Sequence, residues 1–122
     1  MVRPGHRTIV VADDDPALRL LCRVNLELEG YRVVEAGHAA ELDGALEAED
    51  VALVLLDVHF GAYDGVEIAQ RLRETHPELP IAFFSGTQPE LSEDSRRIAD
   101  AFIPKPFTLE NLSETVRRLA RA

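Results

Sequence analysis

The segment LVLLDVHFGAYDG, residues 53–65, contains the most informative transition in the chain, from an apolar run to a short polar loop. A continuous apolar run is typical of a central strand that is covered on both faces. The run ends at Asp57, and Asp64 follows after the loop, where it can cap a helix. Whether Asp57 is a reactive group or only the polar residue that ends a strand depends on what the chain places beside it.

Outward from this segment, predicted strands and predicted helices alternate five times along the chain. The strand patterns are TIVVA, YRVVEA, VALVLLD, LPIAFFSG and AFI, which begin at residues 8, 31, 51, 79 and 101. Such alternation indicates right-handed crossovers, a parallel sheet and helices on both faces. We therefore expect an α/β fold, in which sites form at the carboxyl ends of the strands.

Apolar residues at helical spacing indicate the helices between these strands. Pro16 suits a first helical turn that Asp15 can cap, and Gly30 is a natural stop. The fourth helical segment, TQPELSEDSRRIAD, has few apolar anchors, so we expect its helix to be the least stable. The apolar stripes of the other helices are Leu18, Leu21, Cys22 and Leu26; Leu42, Ala45 and Leu46; Val66, Ala69 and Leu72; and Leu109, Leu112, Val116 and Leu119.

Length and composition limit the class of protein. At 122 residues, 46% hydrophobic and 29% charged, the chain is expected to form one domain over 1–122, with an ordered core at about 8–121 and an N-terminal tail at 1–7. Cys22 has no partner for an internal disulfide, and the sequence shows no membrane span or secretory signal, so we expect a cytoplasmic location. The net charge of −9 argues against direct binding of nucleic acid, which needs a basic surface.

Polar and charged residues follow four of the predicted strands. Asp13 and Asp14 follow the first, Asp57 ends the third, Ser85 ends the fourth and Lys105 follows the fifth. In a parallel sheet these side chains gather at one edge, where carboxylates raise one another's pKa unless a cation lies among them. Carboxylate oxygens suit Mg²⁺, while a lysine and a hydroxyl can stabilise phosphoryl oxygens. The set favours phosphoryl transfer to a carboxylate.

Each of these residues also has a purely structural explanation. Asp57 can simply end a strand, and Ser85 and Lys105 can belong to ordinary turns. Asp15 and Asp64 are best explained as helix caps. The coincidence of four strand ends carries more weight than any single residue, because one reaction needs all of these residue types together.

The motifs VVADDDP, LVLLDVHFGAYDG, FFSG and FIPKPF, at their spacing in this chain, resemble those of response regulator receiver domains, the CheY-like phosphoacceptors of two-component signalling. The resemblance extends from about residue 8 to the last helix. It implies a single doubly wound, flavodoxin-like domain, with five helices around a five-stranded parallel sheet of order 2-1-3-4-5. It also implies a regulatory phosphoacceptor rather than an enzyme, apart from self-catalysed phosphorylation and autodephosphorylation.

The resemblance implies a role for each strand-end residue. Asp57 would accept the phosphoryl group from the phosphohistidine of a sensor histidine kinase or a histidine phosphotransfer protein. Asp14, Asp57 and the backbone carbonyl of His59 would bind Mg²⁺, and Asp13 would act through a water molecule. Lys105 would pair with the phosphoryl group.

The resemblance also implies a switch and a cis peptide bond between Lys105 and Pro106. Phosphorylation would draw in the Ser85 hydroxyl, and Phe102 would rotate into the vacated space. That change would remodel the face formed by the fourth helix, fifth strand and fifth helix, through which a homodimer can form. Core packing is the alternative role for Phe102. An output domain outside this chain is compatible with the sequence.

The loop after Asp57 departs from the family pattern, which usually reads Met-Pro-Gly-Met-Asp-Gly. Gly61 replaces the proline here, and we expect it to loosen the loop. His59 and Thr87 stand at positions that in the family tune how water reaches the acyl phosphate. We expect a bulky His59 to alter the autodephosphorylation rate, the alternative being a solvated loop residue.

Three other classes compete with this interpretation. A haloacid dehalogenase-type enzyme also uses a strand-end aspartate with Mg²⁺, but it needs a longer chain. A flavin or nucleotide binder is disfavoured, since three consecutive aspartates after the first strand would repel a phosphate. A pseudo-receiver, which binds partners without phosphorylation, is the serious rival. Such degeneration typically loses the acceptor, an acidic residue or the lysine, and this chain has all of them.

Overall fold

The computed structural model describes residues 7–86 and 93–120, and only the backbone of 94–96. Within those residues the strands are β1 (Thr8–Ala12), β2 (Arg32–Ala36), β3 (Val51–Asp57), β4 (His59–Phe60), β5 (Tyr63–Asp64), β6 (Ile81–Ser85) and β7 (Ala101–Pro104). The helices are α1 (Pro16–Leu28), α2 (Ala39–Ala48), α3 (Gly65–Thr75), α4 (Glu93–Ile98) and α5 (Leu109–Leu119). None of these helices has the length and apolar character needed to cross a bilayer.

The main sheet has five parallel strands in the order β2-β1-β3-β6-β7, and β4 and β5 form a separate antiparallel pair. When only the strands of the main sheet are numbered, this is the order 2-1-3-4-5. The predicted fold class, with its five helices, is therefore confirmed. The carboxyl ends of β1, β3, β6 and β7 all meet at one edge of the sheet, as the parallel arrangement requires.

The apolar run of β3 is divided between two cores. Val54 and Leu56 pack into the core beneath α2 and α3, whereas Leu53 and Leu55 pack into the core beneath α1 and α5. All four side chains are 0% exposed. Since neighbouring residues of a strand point to opposite faces, a strand covered on both sides needs apolar residues throughout. This arrangement fixes the position of Asp57 at the end of the most buried strand.

The predicted ends of the helices are confirmed at three places. The Asp15 carboxylate accepts a hydrogen bond from Ala17 N at 3.0 Å, and that of Asp64 accepts one from Val66 N at 2.8 Å. Gly30 follows α1 with a φ of +99°, a left-handed conformation that glycine adopts without strain. Both aspartates therefore cap helices, as predicted.

Two apolar stripes differ from the sequence prediction. Leu21 is 45% exposed and Leu109 is 44% exposed, although both were expected to face the core. On α1, Leu20, Val24 and Leu28 are also exposed, so this helix has apolar residues on an outer face as well as an inner one. Periodicity identified the helix correctly, but it could not tell the two apolar faces apart.

The N-terminal tail predicted for residues 1–7 lies outside the described residues except for Arg7. The carbonyl oxygen of Arg7 accepts a hydrogen bond from Arg32 N at 2.8 Å, which continues the pairing of β1 with β2. Thr87 also lies outside the described residues. The helix predicted after β6 is found as the six-residue α4.

Candidate functional site

The carboxyl ends of β1 and β3 bring three carboxylates together. One oxygen from each of Asp13, Asp14 and Asp57 lies within 4.8 Å of the other two. Asp13 is 0% exposed and Asp57 is 8% exposed, whereas Asp14 faces solvent. The predicted acidic cluster is therefore present, with one open side at Asp14.

Lys105 lies between the two buried members of this cluster. Its ammonium group is 2.9 Å from Asp13 Oδ2 and 3.3 Å from Asp57 Oδ2. The same nitrogen lies 5.8 Å from the centre of the Phe84 ring, which covers it on the apolar side. The peptide bond between Lys105 and Pro106 is cis, as the family resemblance implied.

Asp13 is bonded through both its backbone and its side chain. Its N–H donates to Ala36 O at 3.1 Å, so the turn after β1 continues the pairing with β2. Its Oδ1 accepts from Asp15 N at 2.9 Å, while Oδ2 accepts from Lys105. Arg19 donates to the backbone carbonyl of Asp13 at 2.7 Å. A fully buried carboxylate is stable only with partners of this kind.

The two carboxylate oxygens of Asp57 accept hydrogen bonds from different groups, one from the backbone and one from Lys105. Oδ1 accepts from His59 N at 3.1 Å, and Oδ2 is the oxygen nearest the ammonium group. Burial raises the pKa of Asp57; the His59 N–H opposes that rise, the charge of Asp13 adds to it and Lys105 lowers it. The net direction is upward, which means that the ionised carboxylate lacks some of the stabilisation that water would give it.

The pKa of Lys105 is also raised. Burial alone would lower it, but the hydrogen bonds and charges of Asp13 and Asp57 outweigh that effect. Lys105 is thus held as an ammonium ion between two carboxylates. Three carboxylates and one ammonium group still leave two formal negative charges, so the site favours a further cation.

The donor set fits Mg²⁺. All three close donors are carboxylate oxygens, the hard ligands that this ion prefers, and the exposed side at Asp14 leaves room for water ligands. His59 lies directly after this edge, on β4, and its side chain is exposed. Its backbone carbonyl remains a predicted ligand.

The structure places Ser85 and Phe102 on the two strands beyond β3. Ser85 ends β6 and is 3% exposed, and its carbonyl oxygen accepts from Lys105 N at 2.7 Å. Phe102 lies on β7 and is half-buried, with its ring centre 5.9 Å from that of Phe83. Ser85 therefore ends its strand at the predicted edge of the sheet, while the switch roles of Ser85 and Phe102 remain predictions.

Residues 59–64 form a hairpin that sequence reasoning missed. His59 pairs with Asp64 and Phe60 with Tyr63, and the turn contains Gly61 at a φ of +62°. Glycine at the first of two turn residues suits the hairpin turns that match strand twist. The conformational freedom of Gly61 is used to close a paired turn, and the looser loop expected from its replacement of proline stays a prediction.

Gly65 is a second residue whose role the sequence did not reveal. Its N–H donates to Val58 O at 2.7 Å, so α3 starts directly against the end of β3. A Cβ at this position would overlap the carbonyl oxygen of Asp57 and would lie 2.8 Å from that of Val58. The only sequence signal was the Asp-Gly pair itself, which is common in turns that need no such contact.

A separate concavity of about 1060 Å³ lies at the opposite edge of the sheet, where β1 and β3 begin. Its lining includes Thr8, Asp50, His76 and Pro80. It is not formed by any of the four strand ends that gather the carboxylates. The acidic edge is therefore the better candidate for a functional site.

The fold and the site together define a doubly wound domain with a lysine-bridged acidic cluster at its carboxyl edge. The sequence matches the family described as response regulator receiver domain over residues 9–117. Response regulator MprA of Mycolicibacterium vanbaalenii is 35% identical over 116 residues, which are 93% of this chain and 50% of that protein. Sensor kinase CckA of Brucella abortus is 34% identical over 123 residues, 94% of this chain and 13% of the kinase.

Solved structures agree with these matches. The receiver domain of NtrX from Brucella abortus has a TM-score of 0.84 and 30% identity, with 93% of this chain and 97% of that chain covered. Chemotaxis response regulator CheY4 of Vibrio cholerae has a TM-score of 0.84 at 23% identity, with 93% and 98% covered, which supports the fold alone.

The chain belongs to the response regulator receiver domains of two-component systems. These are regulatory signalling domains. The chain spans about half the length of the MprA response regulators that it matches.

Proposed function

We propose that residues 1–122 form one receiver domain that accepts a phosphoryl group on Asp57, with Mg²⁺ bound beside it. The observation that carries this proposal is the position of Lys105, whose ammonium group bridges Asp13 and Asp57 inside a cluster of three carboxylates. A structural turn would not need a buried acid at the end of two neighbouring strands and a lysine from a third. The donor is the phosphohistidine of a sensor histidine kinase or a histidine phosphotransfer protein.

In the proposed reaction an oxygen of Asp57 attacks the phosphorus atom while the bond to the histidine nitrogen breaks. The product is an acyl phosphate on Asp57, and the partner's imidazole leaves with the electron pair of the broken bond. Lys105 stabilises the charge on the transferred oxygens. Mg²⁺, held by Asp14, Asp57 and the His59 carbonyl with Asp13 acting through water, would neutralise phosphoryl charge. The later loss of the phosphoryl group is self-catalysed: water attacks the phosphorus atom, the bond to Asp57 breaks, and inorganic phosphate and the free carboxylate result.

The signal then passes to β6 and β7. The Ser85 hydroxyl turns toward the phosphoryl group, and Phe102, whose ring lies beside Phe83, rotates into the space that the hydroxyl vacates. The face formed by α4, β7 and α5 changes as a result. Through that face the domain binds a second copy of itself or an output domain.

The proposed setting is the cytoplasm, with the kinase as the direct partner. The net charge of −9 supports the proposal that this domain does not bind nucleic acid itself. Any contact with DNA would belong to another domain of a longer protein.

The test is Mg²⁺-dependent labelling with acetyl phosphate, and binding of beryllofluoride as a phosphoryl mimic. Wild type should be labelled, Asp57→Asn should not, and neither should wild type after chelation of Mg²⁺. Asp64→Asn is the matched control, because asparagine caps helices as well as aspartate and the label should remain. No labelling of wild type, or labelling that survives Asp57→Asn, would favour a pseudo-receiver that only binds partners.

A further inference from the structure

Arg19 contacts the backbone of the acidic cluster, and no role was predicted for it from its residue type or position. Its Nη1 donates to the backbone carbonyl of Asp13 at 2.7 Å, and its Nε donates to Glu35 Oε1 at 3.2 Å. The Arg19 side chain is only 18% exposed. This arginine on α1 thereby joins the end of β1 to β2.

The carbonyl that Arg19 contacts belongs to the peptide that links Asp13 to Asp14. Because a peptide group is planar, a hydrogen bond to this oxygen restrains the orientation of the whole unit from which the Asp14 side chain departs. The other bonds of Asp13 go through its N–H and its carboxylate. Arg19 therefore restrains the peptide that precedes Asp14, the exposed member of the cluster.

Gly37 leaves space for the Arg19 guanidinium. A Cβ at Gly37 would lie 3.0 Å from Arg19 Nη1 and 3.3 Å from Glu41 Oε1. The N–H of Gly37 donates to the same Glu41 oxygen at 2.7 Å. The guanidinium thus fits closely behind the cluster and does not extend freely into solvent.

The charge of Arg19 is largely compensated, so its direct hydrogen bond is the important contribution. Glu35 accepts from Arg19 with one oxygen and pairs with Arg23 through the other, at 3.3 Å. Arg23 lies one turn further along α1, and its described contacts are with Glu35 and Glu27. Arg23 therefore shares the acidic partner of Arg19 without the bond to the Asp13 carbonyl.

We propose that Arg19 is a positioning residue, which holds the Asp13-Asp14 peptide so that the carboxylates of Asp14 and Asp57 bind Mg²⁺ together. This inference rests on the proposed function. Residues that orient metal ligands typically change metal affinity by about 10–100-fold when they are removed. Since Arg19 acts through one backbone hydrogen bond, the lower end of that range, about tenfold, is expected.

The direct test is calorimetric titration of MgCl₂ into the protein without any phosphoryl donor. Arg19→Met should raise the Kd for Mg²⁺ about tenfold, whereas Arg23→Met should change it by less than about twofold. Asp14→Asn should abolish binding. If wild type does not bind Mg²⁺, the proposed function fails and this inference with it. If wild type binds and Arg19→Met has the same Kd, only the inference is overturned.

Gly37→Ala provides a second variant that keeps Arg19 and its charge. The added methyl group crowds the guanidinium, so the Kd for Mg²⁺ should rise severalfold while circular dichroism shows a folded protein. This variant decides the question if Arg19→Met does not fold, and a wild-type Kd would then overturn the inference. In labelling assays, the Mg²⁺ concentration for half-maximal rate should rise in each variant by the same factor as the Kd of that variant. The rate at saturating Mg²⁺ should stay within about twofold, whereas general damage to the structure would lower it.

Discussion

The two halves of the acidic edge are held very differently. On the β1–β3 half, Asp13 is bonded through its N–H, its carbonyl and both carboxylate oxygens, and the Asp57 carboxylate is bonded through both oxygens. Groups that must stabilise charge work best when their positions are fixed before the reaction. The β1–β3 half of the acidic edge holds its charged groups in fixed positions of this kind.

The β6–β7 half contains α4, a helix of six residues. Its carboxyl end is attached to α3 through Arg73, whose Nη2 donates to Ile98 O at 2.6 Å and to Asp100 Oδ2 at 3.2 Å. The Asp100 carboxylate also accepts from Ile81 N at 2.9 Å, which connects this attachment to β6. This contrast fits the proposed division of roles, in which the first half binds the phosphoryl group and the second half changes shape about the attached end of α4.

The largest expected effect is on the first half. Lys105→Met should lower the initial rate of labelling by acetyl phosphate about 100-fold, because a fixed charged donor to the transferred oxygens is lost. The rate is measured at saturating Mg²⁺, with circular dichroism to confirm folding. The labelling rate of Lys105→Arg, which keeps the charge, should fall less than that of Lys105→Met. A rate within about threefold of wild type in Lys105→Met would show that the lysine has no part in phosphoryl transfer.

Gly65→Ala should disturb the same half through the backbone. The new Cβ overlaps the Asp57 carbonyl, so the end of β3 must shift, at a cost of about 1–3 kcal/mol in the free energy of unfolding. Gly44→Ala is the control, since Gly44 lies on α2 with no atom near its missing Cβ. The free energy of unfolding of Gly44→Ala should rise by about 0.5–1 kcal/mol. Urea denaturation measures both, and equal stabilities would contradict the close approach of α3 to β3.

Arg73→Met tests the attached end of α4. The carbonyl oxygens of Leu79 and Ile98 lose a donor, so the free energy of unfolding should fall by about 2 kcal/mol. Amide hydrogen exchange at the end of α4 should increase. The labelling rate should stay within about twofold of wild type, because the first half is unchanged. Arg71→Met, which loses only an exposed pair with Asp43, should cost about 0.5 kcal/mol or less. A loss of labelling in Arg73→Met without unfolding would break the division between the halves.

The smallest expected effect is at His59, whose exposed side chain follows Asp57. His59→Asn should change the lifetime of the acyl phosphate severalfold, because a smaller side chain alters the approach of water. The decay of labelled protein is followed after removal of acetyl phosphate. An unchanged lifetime would leave His59 as a solvated residue.

The strand order was implied by the family resemblance. The residues themselves predicted the alternation of strands and helices, the caps at Asp15 and Asp64, and the gathering of carboxylates at one edge, because these follow from apolar runs, capping residues and the residue type at each strand end. Parallel topology then converts positions far apart in the chain into neighbours. This is why Lys105 was expected at the same edge as Asp13 and Asp57, and the structure places its ammonium group between their carboxylates.

The remaining features depend on tertiary packing. The hairpin at 59–64 has strands of two residues, too short for a period to show, and Phe60 is 0% exposed within a segment whose sequence predicts a loop. Arg19 is one of several arginines on the helices, and its contact with the Asp13 carbonyl and its low exposure distinguish it from Arg23. The exposure of Leu21 likewise depends on which face α1 turns toward α5 and the sheet.

Locating the phosphoryl group on the chain is the direct test of Asp57 as the phosphoacceptor. Wild-type protein would be labelled with acetyl phosphate and Mg²⁺, the acyl phosphate reduced with borohydride, and the modified residue identified by peptide mass spectrometry. We expect modification at Asp57, and its loss when Mg²⁺ is chelated before labelling. Modification at Asp13, Asp14 or Asp64 in place of Asp57, or an unmodified protein, would contradict this role of Asp57.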